Sequence, residues 1–502
     1  MSMPAEHLTL SPTLSDVLRG YADAPPIRIK GVASDSRRLG EGFLFLACRG
    51  VNSHGLDYLP EAKAAGISAV AYDASTIQTP AKNGIPMIAV DDLDKKLGEI
   101  ANRFYGWPSK ALGVIGITGT DGKTTVAWLV AQCYQLLGER CAYLGTLGYG
   151  VDEIRGAEGL TTPAAVELHA RLAEFIAEGA NFAAIEISSH ALSQGRVDGV
   201  LFEAALFTNL SRDHLDYHAD MRDYFESKAR LFLESDADIR IINIDSEFGS
   251  ELVDRCGHEV VVVSSDVDRI ATTVPHVFAR SVVANPQGSD VAFVSSWGDG
   301  RFSVPLPGDF NVANAVIVLA LMLKEGFSVD AACDALSRVP APPGRMQRVD
   351  AEGVAVYVDY AHTPRAIEAA LLALRAHCHG KLWCVFGCGG DRDTGKRPLM
   401  GECAERIADH IVITSDNPRT EDPRQIIDEV VSGLEQPSLA TVIEDRAAAI
   451  GWAIDRAAEA DVILIAGKGH EAHQQIGAER LPFSDYAVAA AALAARAKGG
   501  LQ

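Results

Sequence analysis

Leu112-Gly-Val-Ile-Gly-Ile-Thr118-Gly119-Thr120-Asp121-Gly122-Lys123-Thr124-Thr125 is the stretch whose reading decides the fold. Its first half is a short apolar run of the kind that forms a strand covered on both faces. Its second half is glycine-rich and ends in Lys-Thr-Thr, and the run from Val126 to Leu137 reads as a helix. Strand, glycine loop and helix in that order make a phosphate cradle. The glycines let backbone N–H groups approach oxyanions, the helix amino terminus adds positive potential, Lys123 neutralises β/γ charge and the Thr124 hydroxyl suits Mg²⁺. The loop departs from strict GxxxxGK[ST], because Ile117 stands where the first glycine belongs. A bare glycine turn between strand and helix is the competing reading, and the ordered Lys-Thr weighs against it.

Outward from this loop, Phe182-Ala-Ala-Ile-Glu186-Ile-Ser-Ser-His190 reads as a second strand, apolar except for one carboxylate. An acid beside a phosphate loop is a natural Mg²⁺ ligand, and a cap on the next helix is its plainer role. The segment Thr208-Asn209 to His218 crowds imidazoles and acids into a turn, where His214 by itself reads as a hydrogen-bonded structural residue. Lys228, in the helical stretch Tyr224 to Phe232, reads locally as a solvated surface lysine.

The whole chain is α/β. At 502 residues it exceeds one ordinary core, and its punctuation suggests three domains. The expected boundaries are residues 1–108, ending on Gly106-Trp-Pro108, then 109–340 around a central P-loop-type, mostly parallel sheet, then 341–502 as a Rossmann-like domain. The linker is placed at Pro340-Ala-Pro-Pro-Gly344. A net charge of -22 repels a phosphate backbone, so nucleic acid and anionic membrane are not expected as partners. Nine cysteines without a CxxC pair suit a reducing compartment. The amino end lacks a basic-then-apolar signal, and the alanine-rich run 487–495 is too short to span a bilayer. A cytoplasmic monomer is expected.

The third region repeats an apolar strand followed by a polar loop: Leu382 to Phe386, His410 to Thr414 and Val462 to Ala466. Ligands gather at the carboxyl ends of parallel strands, so the three loops should converge. The loop Gly387 to Arg397 has the wrong glycine spacing for a dinucleotide fingerprint. Arg392 and Asp416-Asn417-Pro418-Arg419 set guanidinium groups beside carboxylate and amide, which suits a ligand carrying both ammonium and carboxylate. An Asx-Pro turn with an exposed arginine is the plainer reading of the second motif. Glu471 in Gly467-Lys-Gly-His-Glu471 offers another acid.

Together the phosphate loop, Glu186 to His190, Asn209 to His218, Gly308-Asp-Phe-Asn311-Val-Ala-Asn314, Pro343-Gly-Arg345, Asp359-Tyr-Ala-His362-Thr-Pro and Gly467 to Glu471 resemble the Mur ligases, in the family's order and over nearly the whole chain. Asp416 to Arg419 is similar to the motif of the branch that adds meso-diaminopimelate. The resemblance implies an ATP-dependent ligase acting on UDP-N-acetylmuramoyl-L-Ala-D-Glu in peptidoglycan precursor synthesis. It implies that Gly119 to Thr125, Asn311, Arg345 and Asp359 contact ATP, and that Thr124, Glu186, His214 and Lys228 serve Mg²⁺, the last as a carbamate. It implies that the UDP-sugar-dipeptide meets Ser34, Ser36, Val51, Asn52, Ser53, Thr161, Thr162, Ser188, Gln194 and Arg196. Diaminopimelate would meet Arg392, Asp416 to Arg419, Gly467 and Glu471. Asp121 stands where the family more often has Asn or Gly, and its charge would weaken ATP binding unless it points at solvent or metal. The competing functions are the same chemistry with L-lysine or a folate-glutamate acceptor, and a regulatory P-loop switch. The switch lacks an Asn-Lys-x-Asp guanine reader and has no use for the acid-recognition loops.

Overall fold

The computed structural model describes residues 12–50, 53–75, 84–156, 159–266, 268, 273–285, 287–349 and 353–499. It is a mixed α/β protein with mostly parallel sheets. The chain forms two compact units, Met1–Val262 and Val263–Gln502.

The first unit carries a four-stranded parallel sheet, in the order Gly31–Ala33, Phe43–Ala47, Ala69–Asp73 and Met87–Val90. It also carries parallel strands in the order Ile239–Asn243, Ala204–Phe207, Gly113–Thr118, Phe182–Glu186 and Cys141–Gly145, with Gly148–Gly150 antiparallel at the edge. The strand that feeds the phosphate loop is thus central, paired on both sides and buried from Val114 to Thr118. That is why its sequence is apolar without alternation. Its neighbour stops earlier than the sequence suggests. Phe182 to Glu186 is strand, but Ser188 accepts a hydrogen bond from the Ala191 amide at 3.2 Å and opens the helix Ser189–Ser193. The serine cap takes Ser188 to His190 out of the strand, and it leaves Glu186 as the strand's last residue rather than a helix cap.

The second unit has an antiparallel trio, His276–Asn285, Gly288–Ser295 and Gly300–Val304. Its second sheet runs Gln347–Arg348, Ala355–Asp359, Val462–Ala466, Leu382–Phe386, His410–Ile413 and Thr441–Val442, parallel except for the first edge strand. The pleat sends Leu382, Cys384 and Phe386 into one core layer, and Trp383 and Val385 into the other. Both faces are therefore covered. The three repeated strands are immediate neighbours, and their loops emerge side by side. None of the helices among the described residues is long and apolar enough to cross a membrane.

Beneath two of those loops lies a fully buried ion pair. Arg446 donates to Asp485 through Nε and Nη2 at 2.7 and 2.8 Å, and it also reaches the Ala466 carbonyl at 2.8 Å and the Ser415 carbonyl at 3.3 Å. Removing one partner strands the other's charge in the interior. Arg446→Met is expected to cost about 3–5 kcal/mol of folding stability in urea denaturation. Converting Asp485→Leu in the same chain should recover much of that loss, because no orphan charge then remains.

Candidate active site

The phosphate loop is built around two glycines. Gly119 has φ +150, and a Cβ there would fall 1.9 Å from Thr208 Oγ1; Gly122 has φ +84 and starts the helix Lys123–Leu136 with no side-chain cap. The uncapped start leaves backbone donors for an anion. Ile117 lies inside the strand, so the loop's close approach is made at Gly119. The loop is sewn to the next strand's end. Asp121 N donates to Asn209 Oδ1 at 2.9 Å, Asn209 Nδ2 to the Asp121 carbonyl at 3.1 Å, and Thr120 N to the Asn209 carbonyl at 2.9 Å. The Asp121 carboxylate itself is exposed and accepts from Ser211 Oγ at 3.4 Å. It faces solvent, one of the two orientations that spare ATP.

Lys123 curls over the loop, donating to the carbonyls of Gly119 at 3.0 Å and Thr120 at 2.8 Å. Thr124 Oγ1 donates to Glu186 Oε2 at 2.9 Å. Glu186 is completely buried, and Tyr143 OH (2.5 Å), Thr146 N (2.8 Å) and Thr146 Oγ1 (3.1 Å) also point at it. Gly145 makes the room, since a Cβ there would sit 2.1 Å from Glu186 Oε1. Tyr143 and Thr146 were invisible as site residues in the sequence. A tyrosine in an apolar strand and a threonine just past it carry no local signal.

Lys228 is not on the surface. It is 1% exposed on the helix Met221–Leu233, with Nζ 2.6 Å from the Gly119 carbonyl and 4.5 Å from the Tyr224 ring centre. The helix's apolar face points at the phosphate loop and takes Lys228 with it, which is why a solvated reading fails. Burial, reinforced by the nearby Lys123 charge, pushes its amine well below the ordinary lysine range. His214, in a left-handed conformation at φ +53, packs edge-on to His190 with ring centres 5.0 Å apart. Burial lowers its pKa, Asp213 opposes this, and Lys123 and Lys228 lower it further, so all three cationic groups share one field.

Around the same carboxylate, Thr162 Oγ1 donates to the Glu186 carbonyl at 2.8 Å and accepts from Ser188 N at 3.1 Å. Arg196 donates to the Thr162 carbonyl at 3.0 Å and grips Gln194 Oε1 with two nitrogens at 3.0 and 2.6 Å. Thr161 lies 3.3 Å from Thr146 Oγ1. Thr161 and Ser34 line a cleft of about 630 Å³ whose wall includes Gly145, so the cleft adjoins Glu186. Ser36 and Ser53 are not among its lining residues, and Val51 and Asn52 lie outside the described residues.

In the second unit, Asn311 lies in the first turn of the helix Asp309–Lys324 and is anchored by Nδ2 to the Pro307 carbonyl at 2.8 Å. Asp359 accepts from the amides of Met346 at 2.7 Å and Ala361 at 2.8 Å; burial raises its pKa while Arg345 opposes. Arg345 stacks over the Tyr360 ring at 4.8 Å. The loop after Leu382–Phe386 meets the one after His410–Ile413 through Arg419, whose Nη1 donates to the Gly390 carbonyl at 2.6 Å. Arg419 has φ +50 and is held there by backbone bonds to Gln475 and Gly477. Asn417 Nδ2 donates to Glu471 Oε2 at 2.7 Å, and Gly467 leaves space for Asp416 Oδ2, which a Cβ would approach to 2.5 Å. Arg392 is exposed, its guanidinium donating only to its neighbour's carbonyl at 3.2 Å among the described contacts. Besides Arg446, two more buried cations escaped the sequence reading. Arg397 holds Glu421 and Glu429, and Lys468 is completely buried behind Glu471.

Three family models match in chain order: Mur ligase family, catalytic domain, at residues 28–105; Mur ligase middle domain at 117–322; and Mur ligase, glutamate ligase domain, at 344–469. A UDP-N-acetylmuramoyl-L-alanyl-D-glutamate--2,6-diaminopimelate ligase of Coxiella burnetii is 43% identical over 93% of this chain and 96% of its own length. The chain belongs to the Mur ligase family. A Haemophilus influenzae Mur ligase of the same description is also 43% identical, over 92% of this chain and 96% of its own. A solved structure of that description aligns at 32% identity with TM-score 0.71, covering 97% of this chain and all of that one. Like its Mur ligase relatives, this chain is an ATP-dependent ligase.

Proposed function

We propose that this Mur ligase joins meso-diaminopimelate to the D-Glu γ-carboxylate of UDP-N-acetylmuramoyl-L-Ala-D-Glu in peptidoglycan precursor synthesis, as a cytoplasmic monomer organised in domains 1–108, 109–340 and 341–502. The observation that supports it best is the 43% identity, over 93% of the chain, with a relative described by that reaction. The loop chemistry agrees. Arg419 presents a guanidinium for a carboxylate, while Asp416 and Glu471 present acids for an ammonium, which matches the second amino-acid centre that diaminopimelate has and lysine lacks.

Amide formation from a free carboxylate runs uphill and needs phosphoryl activation. A γ-carboxylate oxygen of D-Glu attacks the ATP γ-phosphorus and ADP leaves, giving an acyl phosphate. The diaminopimelate amine then attacks the acyl carbon and phosphate leaves. Lys123 and the helix start neutralise the phosphates, and Gly119 and Gly122 permit their close approach. Thr162, Gln194 and Arg196 orient the acceptor's end near Glu186, beside the cleft that Ser34 lines.

The site's chemistry fits Mg²⁺. Thr124, Glu186, His214 and a carbamate on Lys228 would hold it, and it would spread the charge that develops on the transferring phosphoryl group. Glu186 is an ionisable oxygen donor already meeting the Thr124 hydroxyl, the pairing a hard cation prefers. Among the described residues no three His, Cys, Asp or Glu side chains form a cage.

Phosphate release measured with the sugar dipeptide and each amino acid tests the reading: diaminopimelate should be used and L-lysine should be poor. Arg419→Ala should raise the KM for diaminopimelate and narrow that preference by about 10- to 100-fold, since a charge-assisted bond is lost. An unchanged preference would refute the amino-acid assignment. A folate acceptor would be supported instead if folyl glutamate, and not the sugar dipeptide, released phosphate.

A further inference from the structure

Among the described residues Lys468 is the only buried lysine besides Lys228, and it lies behind Asn417 and Glu471. All three of its ammonium hydrogens are committed: Nζ is 3.0 Å from Asn417 Oδ1, 2.9 Å from Glu471 Oε2 and 2.7 Å from the His473 carbonyl. Three acceptors require the ammonium form, because a neutral amine has only two hydrogens to give. With its donors spent and its side chain completely buried, Lys468 has nothing left to offer a ligand.

Its effect falls on two neighbours. Asn417 Oδ1 receives both Lys468 Nζ and the Gln475 amide at 2.9 Å, which fixes which end of the Asn417 amide is oxygen. The Asn417 NH₂ is thereby aimed at Glu471, where it lands on Oε2 at 2.7 Å, the same oxygen that Lys468 holds. Two donors thus converge on Oε2. Among the described residues no hydrogen bond ends on Oε1, and the Glu471 side chain remains 24% exposed. The carboxylate is clamped by one oxygen and presented by the other.

Charge balance points the same way. Arg446 is matched by Asp485 and Lys468 by Glu471, leaving Asp416 as the surplus acid of this buried group. Without Lys468 the pocket would hold two unbalanced carboxylates, and Glu471 would lose the clamp that orients it.

We propose that Lys468 is a specificity-determining positioning residue, which pins Glu471 Oε2 and the Asn417 amide so that Glu471 Oε1 receives the ammonium of the incoming diamino acid's second centre. This rests on the diaminopimelate reading above. Lys468 acts on recognition of the amino acid and leaves the phosphoryl step alone.

The test is steady-state phosphate release by the full chain and by Lys468→Met, Glu471→Gln and the double variant, with diaminopimelate, ATP and the sugar dipeptide varied in turn. Lys468→Met should raise the KM for diaminopimelate about tenfold or more, with KM for ATP and the dipeptide within about twofold of the parent. In the Glu471→Gln background, the same change should add less than about twofold, because the clamp then has no carboxylate to orient. Full additivity, an unchanged diaminopimelate KM, or an equal rise in the ATP KM would overturn the proposal. If Lys468→Met alone does not fold, the charge-balanced double variant set against Glu471→Gln carries the same comparison. Failure of the parent protein to use diaminopimelate at all would instead overturn the underlying reading, and the proposal with it.

Discussion

Lys123→Ala is expected to lower kcat by about 10³-fold or more while the protein stays folded. The lysine sits at the first position of the helix Lys123–Leu136, and its Nζ rests on the carbonyls of Gly119 and Thr120. From there it reaches any phosphate cradled by the loop's amides. Those amides and the helix start survive the substitution, so ground-state ATP binding should fall less than turnover does. The charge that grows on the transferring phosphoryl group is where a mobile ammonium matters most. A second signature follows from the shared field. Lys123 helps to depress both His214 and Lys228, so both should regain protons at higher pH in the variant. The acid limb of the residual pH profile should move upward. Single-turnover phosphate release across pH, with melting temperature as the folding control, checks both effects. Undiminished coupling of ATP breakdown to peptide extension would refute the site.

The legibility of this chain follows how local each signal is. The strand from Gly113 and the strands at Leu382 and Val462 could be read because continuous apolar runs have one structural solution in a doubly covered sheet. Asp121 and Arg419 were legible as residues, yet their orientation was not, since side-chain direction is set by Ser211 and Gly390 far along the chain. Lys228 shows the limit most sharply. A lysine in Met221–Leu233 reads locally as solvated, and only packing of the face that it shares with Tyr224, Phe225, Leu231 and Phe232 shows that it is buried. Tyr143 and Thr146 reach Glu186 from 43 and 40 positions away, and Lys468 reaches Asn417 from 51, distances over which sequence pattern carries no geometry.

Lys228→Met should lower kcat by about 10²- to 10³-fold, and the parent enzyme should lose activity reversibly when CO₂ and bicarbonate are stripped from the buffer. The reasoning starts from burial. No carboxylate hydrogen bonds to Nζ among the described residues; its neighbours are the Gly119 carbonyl and the Tyr224 ring. An ammonium so placed is poorly compensated, so the amine gives up its proton well below the ordinary value of 10.5. The neutral nitrogen can then attack CO₂, forming an N–C bond and releasing a proton, which turns the buried amine into a carboxylate within reach of the His214 field. At fixed dissolved CO₂, the carbamylated fraction and the activity should rise with pH through the lowered pKa. Stability carries the same sign. The unfolded chain holds the lysine proton up to about 10.5 while the folded chain does not, so Lys228 penalises folding at low pH and the penalty fades as pH rises across that window. Lys228→Met removes both dependences at once. Activity that ignores CO₂ in the parent, or a methionine variant that still responds to it, would show that the buried amine serves without a carboxylate and that metal is held by Thr124 and Glu186 alone.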